Sequence, residues 1–352
     1  MVKKILVIGV ALLACFIFYL AQNDADPNIE QQEDEVMSPE TDPNNGDDAE
    51  DPSEEPSKQV EDPTLPEADI QKMDQGKSVQ ELQESLQSIG YAINVTSKYD
   101  DETTWAITDF QLQNEKLDAT GIYDNQTKER LQDALDEKLS IEPGSRLSKP
   151  KQEQHTNKTK VIGNPYEILS IVNKHHALPD DYIPEDLVTP DVRFPFQEDL
   201  PKKQLRKVAA DALEELMEAS DKEGLTIFAQ SGYRSYDRQD SIFAANVDEH
   251  GEKEANNFSA RPGESEHQSG LTMDITTPEI DYDLTIAFGE TDEGKWVQQH
   301  ASEFGFIIRY PEDKEEITEY QYEPWHLRYV GKRAAKEIMD KGITLEEYLG
   351  LE

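Results

Sequence analysis

An α+β fold preceded by a small all-α unit is predicted for this chain by three observations. Apolar residues recur at helical spacing between about 76 and 140. From 165 to the C-terminus, short strand-like apolar runs mix with helical periods, without the regular βαβ rhythm of a parallel sheet. Ahead of both, residues 22–75 carry 19 acidic residues, two lysines and seven prolines. Like charge and proline oppose collapse, so that segment reads as a disordered, solvated acidic stalk.

Composition narrows the function classes. Asp plus Glu is 75 against 34 Lys plus Arg, a formal charge of −41 over 352 residues. Such a chain lacks the clustered positive charge that nucleic acid or anionic lipid requires, so no nucleic-acid partner is expected. The single cysteine, Cys15, excludes an intramolecular disulfide, a cysteine-based zinc knot and a cysteine nucleophile in the folded part.

Residues 1–21 read as a signal peptide or membrane anchor. Lys3 and Lys4 precede an unbroken apolar run from Ile5 to Ala21, at the lower limit for a membrane span. A retained anchor gives an N-terminal membrane tether with its positive end inside, and cleavage near Ala21 gives a secreted protein. Leu12-Leu13-Ala14-Cys15 also looks like a lipoprotein box, although Phe16 to Leu20 continue the apolar run past it. Every reading places the remainder outside the cytoplasm.

The small unit spans 76–141. Val79, Leu82, Leu86 and Ile89 define a first helix ended by Gly90. A second helix runs from Asp101 to about Asn114, with Trp105, Ala106, Ile107 and Phe110 inward. A third runs from Asn125 to about Leu139, with Leu131 and Leu135 inward, after a turn at Gly121. Residues 142–164 have prolines, Gly144 and scattered lysines without an apolar period, and read as a linker.

In the third unit, 165–352, Pro201 to Glu223 has the pattern of one amphipathic helix stopped by Gly224. Leu225–Gln230 reads as a strand, Ser235 to about Glu249 as a helix, and Met273–Thr276 as a strand. Trp296–Phe304 reads as a helix, Gly305–Arg309 and the run ending at Tyr329-Val330 as strands, and Lys332–Lys341 as a helix. Thr344-Leu345-Glu346-Glu347 is a capping box for a last turn.

Chemistry concentrates in three segments of that unit: Ser231-Gly232-Tyr233-Arg234-Ser235, then Ser265 to Asp274, then Glu323-Pro324-Trp325-His326. His267, Asp274 and His326 are three good zinc ligands, which leaves the fourth position to water. Zinc lowers the pKa of such a water to about 7 and polarises a carbonyl. An aspartate between Met273 and Ile275 is costly to bury unless it meets a cation or donors. Pro324 excludes a helical H-E-x-x-H arrangement, but the turn still suits Glu323 as general base. Arg234 suits an oxyanion or a substrate carboxylate. His155, His175, His176, His250 and His300 lie in polar surroundings and read as solvent-facing. The Asn-x-Ser/Thr sequences at Asn94, Asn125, Asn157 and Asn257 read as incidental.

Two resemblances follow from these residues. The small unit resembles the peptidoglycan-binding domain type 1 family through Val79, Leu82-Gln83, Leu86, Gly90-Tyr91, Tyr99-Asp100, Thr104, Ala106, Phe110-Gln111, Leu117, Gly121-Ile122 and Thr127. It departs from that family at Tyr99-Asp100-Asp101-Glu102, where a glycine turn is usual. The third unit resembles the VanY-type D-alanyl-D-alanine carboxypeptidases, zinc metallopeptidases of the LAS family. Their pattern S-G-Y-R-S, S-x-H-x-x-G-x-x-x-D and E-x-x-H appears here in order, with Thr272 where an alanine is usual.

The resemblance implies an LAS-type α+β domain and one zinc ion held by His267, Asp274 and His326. It implies Glu323 as catalytic base and substrate contacts from Arg234, Gln239 and Ser265. The implied reaction is removal of the terminal D-Ala from peptidoglycan stem peptides by an enzyme docked on the glycan wall, and a monomer is expected. The alternatives are an L,D-carboxypeptidase, an endopeptidase or dipeptidase of the same fold, and a non-catalytic wall-binding protein.

Overall fold

The computed structural model describes residues 64–150 and 159–351. The apolar run with Cys15, the acidic segment up to residue 63, His155, Asn157 and the Asn257 side chain lie outside the described residues. Among the described residues no helix is long and apolar enough to cross a membrane.

The small unit is built from α1 (Lys77–Ser88), α2 (Asp101–Leu112) and α3 (Asn125–Leu135). Val79, Leu82 and Leu86 of α1 pack with Trp105, Ile107 and Phe110 of α2 and Leu131 of α3 in one apolar cluster. The departure from the family's glycine turn has a physical reason. Asp100 caps α2, its carboxylate accepting from the Thr103 amide at 3.0 Å, so side-chain chemistry sets the turn.

Two buried glutamines tie the loops to the helices. Gln111 accepts from the Thr120 and Gly121 amides and donates to the Ile122 carbonyl at 2.8 Å. Gln83 does the same for Thr96, Ser97 and Lys98. Beyond α3, Asp109 accepts from the amides of Gly144, Arg146 and Leu147, and the Trp105 indole donates to the Leu147 carbonyl. Residues 144–147 therefore run along α2.

In the larger unit, β1 (Lys160–Val161) pairs in parallel with β2 (His176–Ala177), and β3 (Leu187–Val188) pairs antiparallel with β4 (Leu205–Arg206). Then come α4 (Lys207–Lys222), β5 (Phe228–Ser231), α5 (Tyr236–His250), α6 (Glu252–Phe258) and β6 (Thr272–Thr276). They are followed by α7 (Asp292–His300), β7 (Phe306–Ile308), α8 (Glu315–Thr318), β8 (His326–Tyr329), α9 (Lys332–Lys341) and α10 (Leu345–Leu349). The capping box at Thr344 forms as expected.

Two expectations are corrected. The disordered stalk expected over 22–75 does not extend to its end, because Leu65 and Ile70 are buried in the small unit's apolar cluster and Ile70 exchanges backbone hydrogen bonds with Tyr123. The helix predicted over Pro201–Glu223 begins only at Lys207, after a single 3-10 turn at Pro201–Lys203 and the strand β4. The backbone there is captured by other partners. Gly232 and Tyr233 donate to the carbonyls of Lys202 and Gln204, and the Lys207 amide donates to Asp186.

The main sheet has strand order β5-β6-β8-β7 and is antiparallel throughout. Alternation divides its central strands. Met273, Ile275 and Leu327 join the apolar core with Leu213 and Leu216 of α4 and Ile338 of α9. Thr272 and Asp274 of β6 face the other way, with their register partners Arg328 and His326 of β8. The polar face of the sheet is thereby set opposite the core.

Candidate active site

Register assembles the centre. Asp274 lies directly opposite His326 on β8 and opposite Ser231 on β5, beside a bulge between Ala229 and Ser231. Directly opposed residues put their side chains on one face. The 3-10 turn Glu266–Ser269 brings His267 to the same place. His267 Nε2 lies 3.3 Å from Asp274 Oδ2, and His326 Nδ1 lies 3.0 Å from Asp274 Oδ1. Ligand atoms of the three residues all fall within 4.8 Å of one another, and all three residues are buried.

The outer nitrogens are already engaged. His267 Nδ1 donates to the Gly232 carbonyl at 2.8 Å, which leaves Nε2 as the inward lone pair. His326 Nε2 faces Glu266 Oε2 at 3.4 Å, which leaves Nδ1 inward. Such partners fix tautomer and ring orientation in metal sites. Two neutral imidazole nitrogens and a carboxylate are a donor set that fits a zinc ion with an open fourth position.

The electrostatics agree with a cation site. Burial pulls His326 down, but the hydrogen bonds to Asp274 and Glu266 outweigh it and raise its pKa to about 9. The carboxylates that hold this proton would equally attract a divalent cation. Burial dominates at His267 and lowers its pKa to about 3, so this ring is neutral at neutral pH. Glu323 is pushed up to about 7, chiefly by burial and then by Asp274 and Glu266, against His326 and Arg234. A carboxyl poised there suits proton transfer near neutrality. Its Oε2 lies 3.8 Å from His326 Nδ1, beside the ligand cluster, and its amide donates to the Tyr310 carbonyl.

The remaining expected residues are placed as follows. Arg234 follows β5, and its amide donates to the His267 carbonyl at 3.2 Å. Its guanidinium donates to Gln239 Oε1 at 2.9 Å and Ser231 Oγ at 3.3 Å. Gln239 is buried on α5 and donates to the Ala260 carbonyl, so it orients Arg234. Ser265 is buried immediately before the turn that bears His267 and makes no capping bond. His175 faces Glu319 and His300 faces Glu303 at the surface, and the His300 ring stacks on Trp296.

Sequence reasoning missed the support beneath the site. Glu266 is fully buried and accepts from Arg309 Nε at 2.8 Å and Arg328 Nη1 at 2.7 Å. Burial alone would raise its pKa, but Arg328 and Arg309 hold it well below the usual carboxylate range. Arg309 also forks onto Glu346 of α10, and Arg328 donates to the carbonyls of Ile168 and Ser170. The available signal was an arginine set between apolar neighbours, in Leu327-Arg328-Tyr329 and after Ile307-Ile308.

The buried His267, Asp274 and His326 cluster is a candidate metal site, and the comparisons place the chain among hydrolases. The family VanY, D-alanyl-D-alanine carboxypeptidase, matches residues 202–332. The family PG_binding_1, described as a peptidoglycan binding domain, matches residues 75–131. The chain is 52% identical over 229 residues to a Bacillus subtilis (strain 168) protein, YodJ, named as a carboxypeptidase, covering 63% of this chain and 83% of that protein. It is 35% identical over 185 residues to the bifunctional D-Ala-D-Ala dipeptidase and carboxypeptidase VanXYC of Enterococcus gallinarum, covering 51% and 92%. Among solved structures, the LdcB LD-carboxypeptidase matches with a TM-score of 0.55 and 54% identity, covering 56% of this chain and 92% of that one. The chain belongs to the VanY carboxypeptidase family, with an N-terminal peptidoglycan-binding domain.

Two substitutions test this construction. Glu266→Gln leaves Arg309 and Arg328 short of a buried counter-charge. It should lower the free energy of unfolding by about 3–5 kcal/mol and weaken metal binding about 10–100-fold, read by denaturant titration and by competition with a chelator. Thr272 has a buried hydroxyl with no partner among the described residues. Thr272→Val should therefore stabilise the protein by about 1 kcal/mol and leave turnover unchanged. A lower melting temperature in that variant would show that the hydroxyl is satisfied.

Proposed function

We propose that this chain is a zinc-dependent carboxypeptidase that removes the terminal D-Ala from peptidoglycan stem peptides outside the cytoplasm. The observation that supports it most is the buried His267, Asp274 and His326 cluster with Glu323 beside it and Arg234 on the adjoining loop. We assign zinc ligation to those three residues, general acid–base work to Glu323, and substrate contact to Arg234, Gln239 and Ser265. We divide the chain into a leader (1–21), an acidic segment (22–63), a wall-binding domain (64–141), a linker (142–164) and the catalytic domain (165–352).

Zinc bound there supplies Lewis-acid polarisation of the scissile carbonyl and a more acidic water. Glu323 accepts a proton from the attacking water as its oxygen adds to the carbonyl carbon. Glu323 then delivers that proton to the amine nitrogen as the C–N bond breaks, releasing D-Ala and a shortened stem. We assign the terminal carboxylate or the oxyanion to the Arg234 guanidinium, which Gln239 steadies. Burial around Glu323 keeps its proton available near neutral pH.

Two specificities share this machinery. The D,D reading, removal of D-Ala from a pentapeptide, follows the description of the matching family. The L,D reading, trimming of a tetrapeptide, is favoured by the higher identity, 54%, to the LdcB LD-carboxypeptidase structure. We take the L,D reading as the first to test.

The purified chain with zinc is incubated with matched pentapeptide and tetrapeptide stems, with and without chelator, and products are weighed. Loss of one alanine from the tetrapeptide, abolished by chelator, is expected. Loss from the pentapeptide alone establishes the D,D enzyme, and loss from neither overturns the proposal. Glu323→Gln should retain zinc while kcat falls about 10²–10⁴-fold. For the small domain, the chain should co-sediment with purified walls even as Glu323→Gln; a chain that stays in the supernatant would leave that domain without a wall-binding role.

A further inference from the structure

Arg206 is fully buried, yet its side chain serves two domains. Its Nε donates to Asp186 at 3.0 and 3.1 Å, and Nη1 donates to the Tyr166 carbonyl at 2.6 Å. Nη2 donates at 2.7 Å to the carbonyl of Ala119, which belongs to the small helical domain. The Arg206 amide meanwhile donates to the Gly270 carbonyl at 2.8 Å. Gly270 closes the 3-10 turn that carries His267, with φ at 69°. A Cβ on Gly270 would stand 2.9 Å from Arg206 Cγ and 3.3 Å from its amide nitrogen, so the turn packs on Arg206 without room for a side chain. One buried residue thus spans from the small domain to the turn that presents a proposed metal ligand.

The surrounding contacts keep Ala119 in place. The Ile168 amide donates to the Thr120 carbonyl at 3.1 Å. Lys72 bridges Asp101 of the small domain and Glu167 of the catalytic domain at 2.8 and 2.9 Å. At the other edge, Arg333 pairs with Asp74, and Gln71 donates to the Tyr348 hydroxyl. These contacts are polar and directional, so they fix an orientation as well as an association. Arginine is suited to the central role because its planar fork offers donors in several directions at once. A lysine ammonium can neutralise Asp186 but has no fork to span two diverging carbonyls.

We propose that Arg206 is a positioning residue through which the small domain holds the His267 turn. The small domain is then part of the catalytic unit as well as a wall contact. This rests on the zinc-peptidase reading above, and metal analysis of the wild-type chain tests that reading first: a chain that never holds zinc fails there, before any variant is made.

The variant is Arg206→Lys in the full chain. Zinc release to a chelator should be about 10-fold faster, and kcat on a soluble stem peptide about 10-fold lower with KM within about twofold. A soluble peptide removes wall affinity from the measurement. Arg333→Gln, which loosens the far edge of the interface, should keep wild-type zinc release and kcat. Wild-type zinc release in a folded Arg206→Lys protein overturns the proposal, as does an equal effect from Arg333→Gln. Should Arg206→Lys fail to fold, amide exchange on the wild-type chain decides. Coupling is reciprocal, so stripping zinc should speed exchange at the Arg206 and Ile168 amides. Unchanged exchange at both overturns the proposal.

Discussion

Glu266 puts a full negative charge where solvent does not reach, and the arrangement of the catalytic domain depends on how that charge is met. Removing a carboxylate from water costs several kcal/mol unless counter-charges and hydrogen bonds replace the water. Here Arg309 and Arg328 bring two positive charges, and Glu346 brings the second negative one, so the buried group is neutral as a set. Each member lies on a different piece of chain: the turn beside His267, the end of β7, the middle of β8, and α10. The network therefore fixes where these four segments meet. Its remaining acceptor on Glu266 faces His326 Nε2, which turns Nδ1 towards Asp274. A stability device and a ligand-orienting device are the same residue.

Strand register does the rest. Because successive side chains alternate, Asp274 and His326 share a face only while β6 and β8 keep their pairing. A slip by one residue would send Asp274 into the apolar layer with Met273 and Ile275, and Leu327 into the polar one. The cost of burying Asp274 among apolar side chains protects the register, and the register in turn protects the site. The bulge between Ala229 and Ser231 then lets β5 leave the sheet, so that Gly232 supports His267 and Arg234 reaches the same pocket from the edge.

This division explains what was legible in the sequence. Helical periods located α1 to α3 and α9, and the capping box located α10, because these signals are local. The residues that the structure brings together, His267, Asp274, His326, Glu323 and Arg234, were legible because each sits in a short segment whose residue types demand a partner. Asp274 between two apolar neighbours is the plainest case. The start of α4 was misjudged because Lys202, Gln204 and Lys207 are held by Gly232, Tyr233 and Asp186, partners that no window of sequence contains. Glu266 was passed over for a similar reason. A glutamate beside a histidine in a polar loop looks solvated until Arg309 and Arg328, about forty and sixty positions onward, are seen to close over it.

The relation between the two domains bears on how a wall-borne substrate is met. A tethered binding module raises effective concentration according to the freedom of its linker. Here the small domain is fixed to the catalytic domain by Arg206, Lys72 and Arg333, while its apolar cluster remains its own. Freedom between the two is replaced by a set orientation. A glycan strand held by the small domain would present its stem peptides to the site from one direction and at one offset. On the proposed function, wall binding would then raise turnover for stems at that offset. The docking contacts would act as a selection rule on position in the wall, separate from any choice of stem length made at the His267, Asp274 and His326 centre.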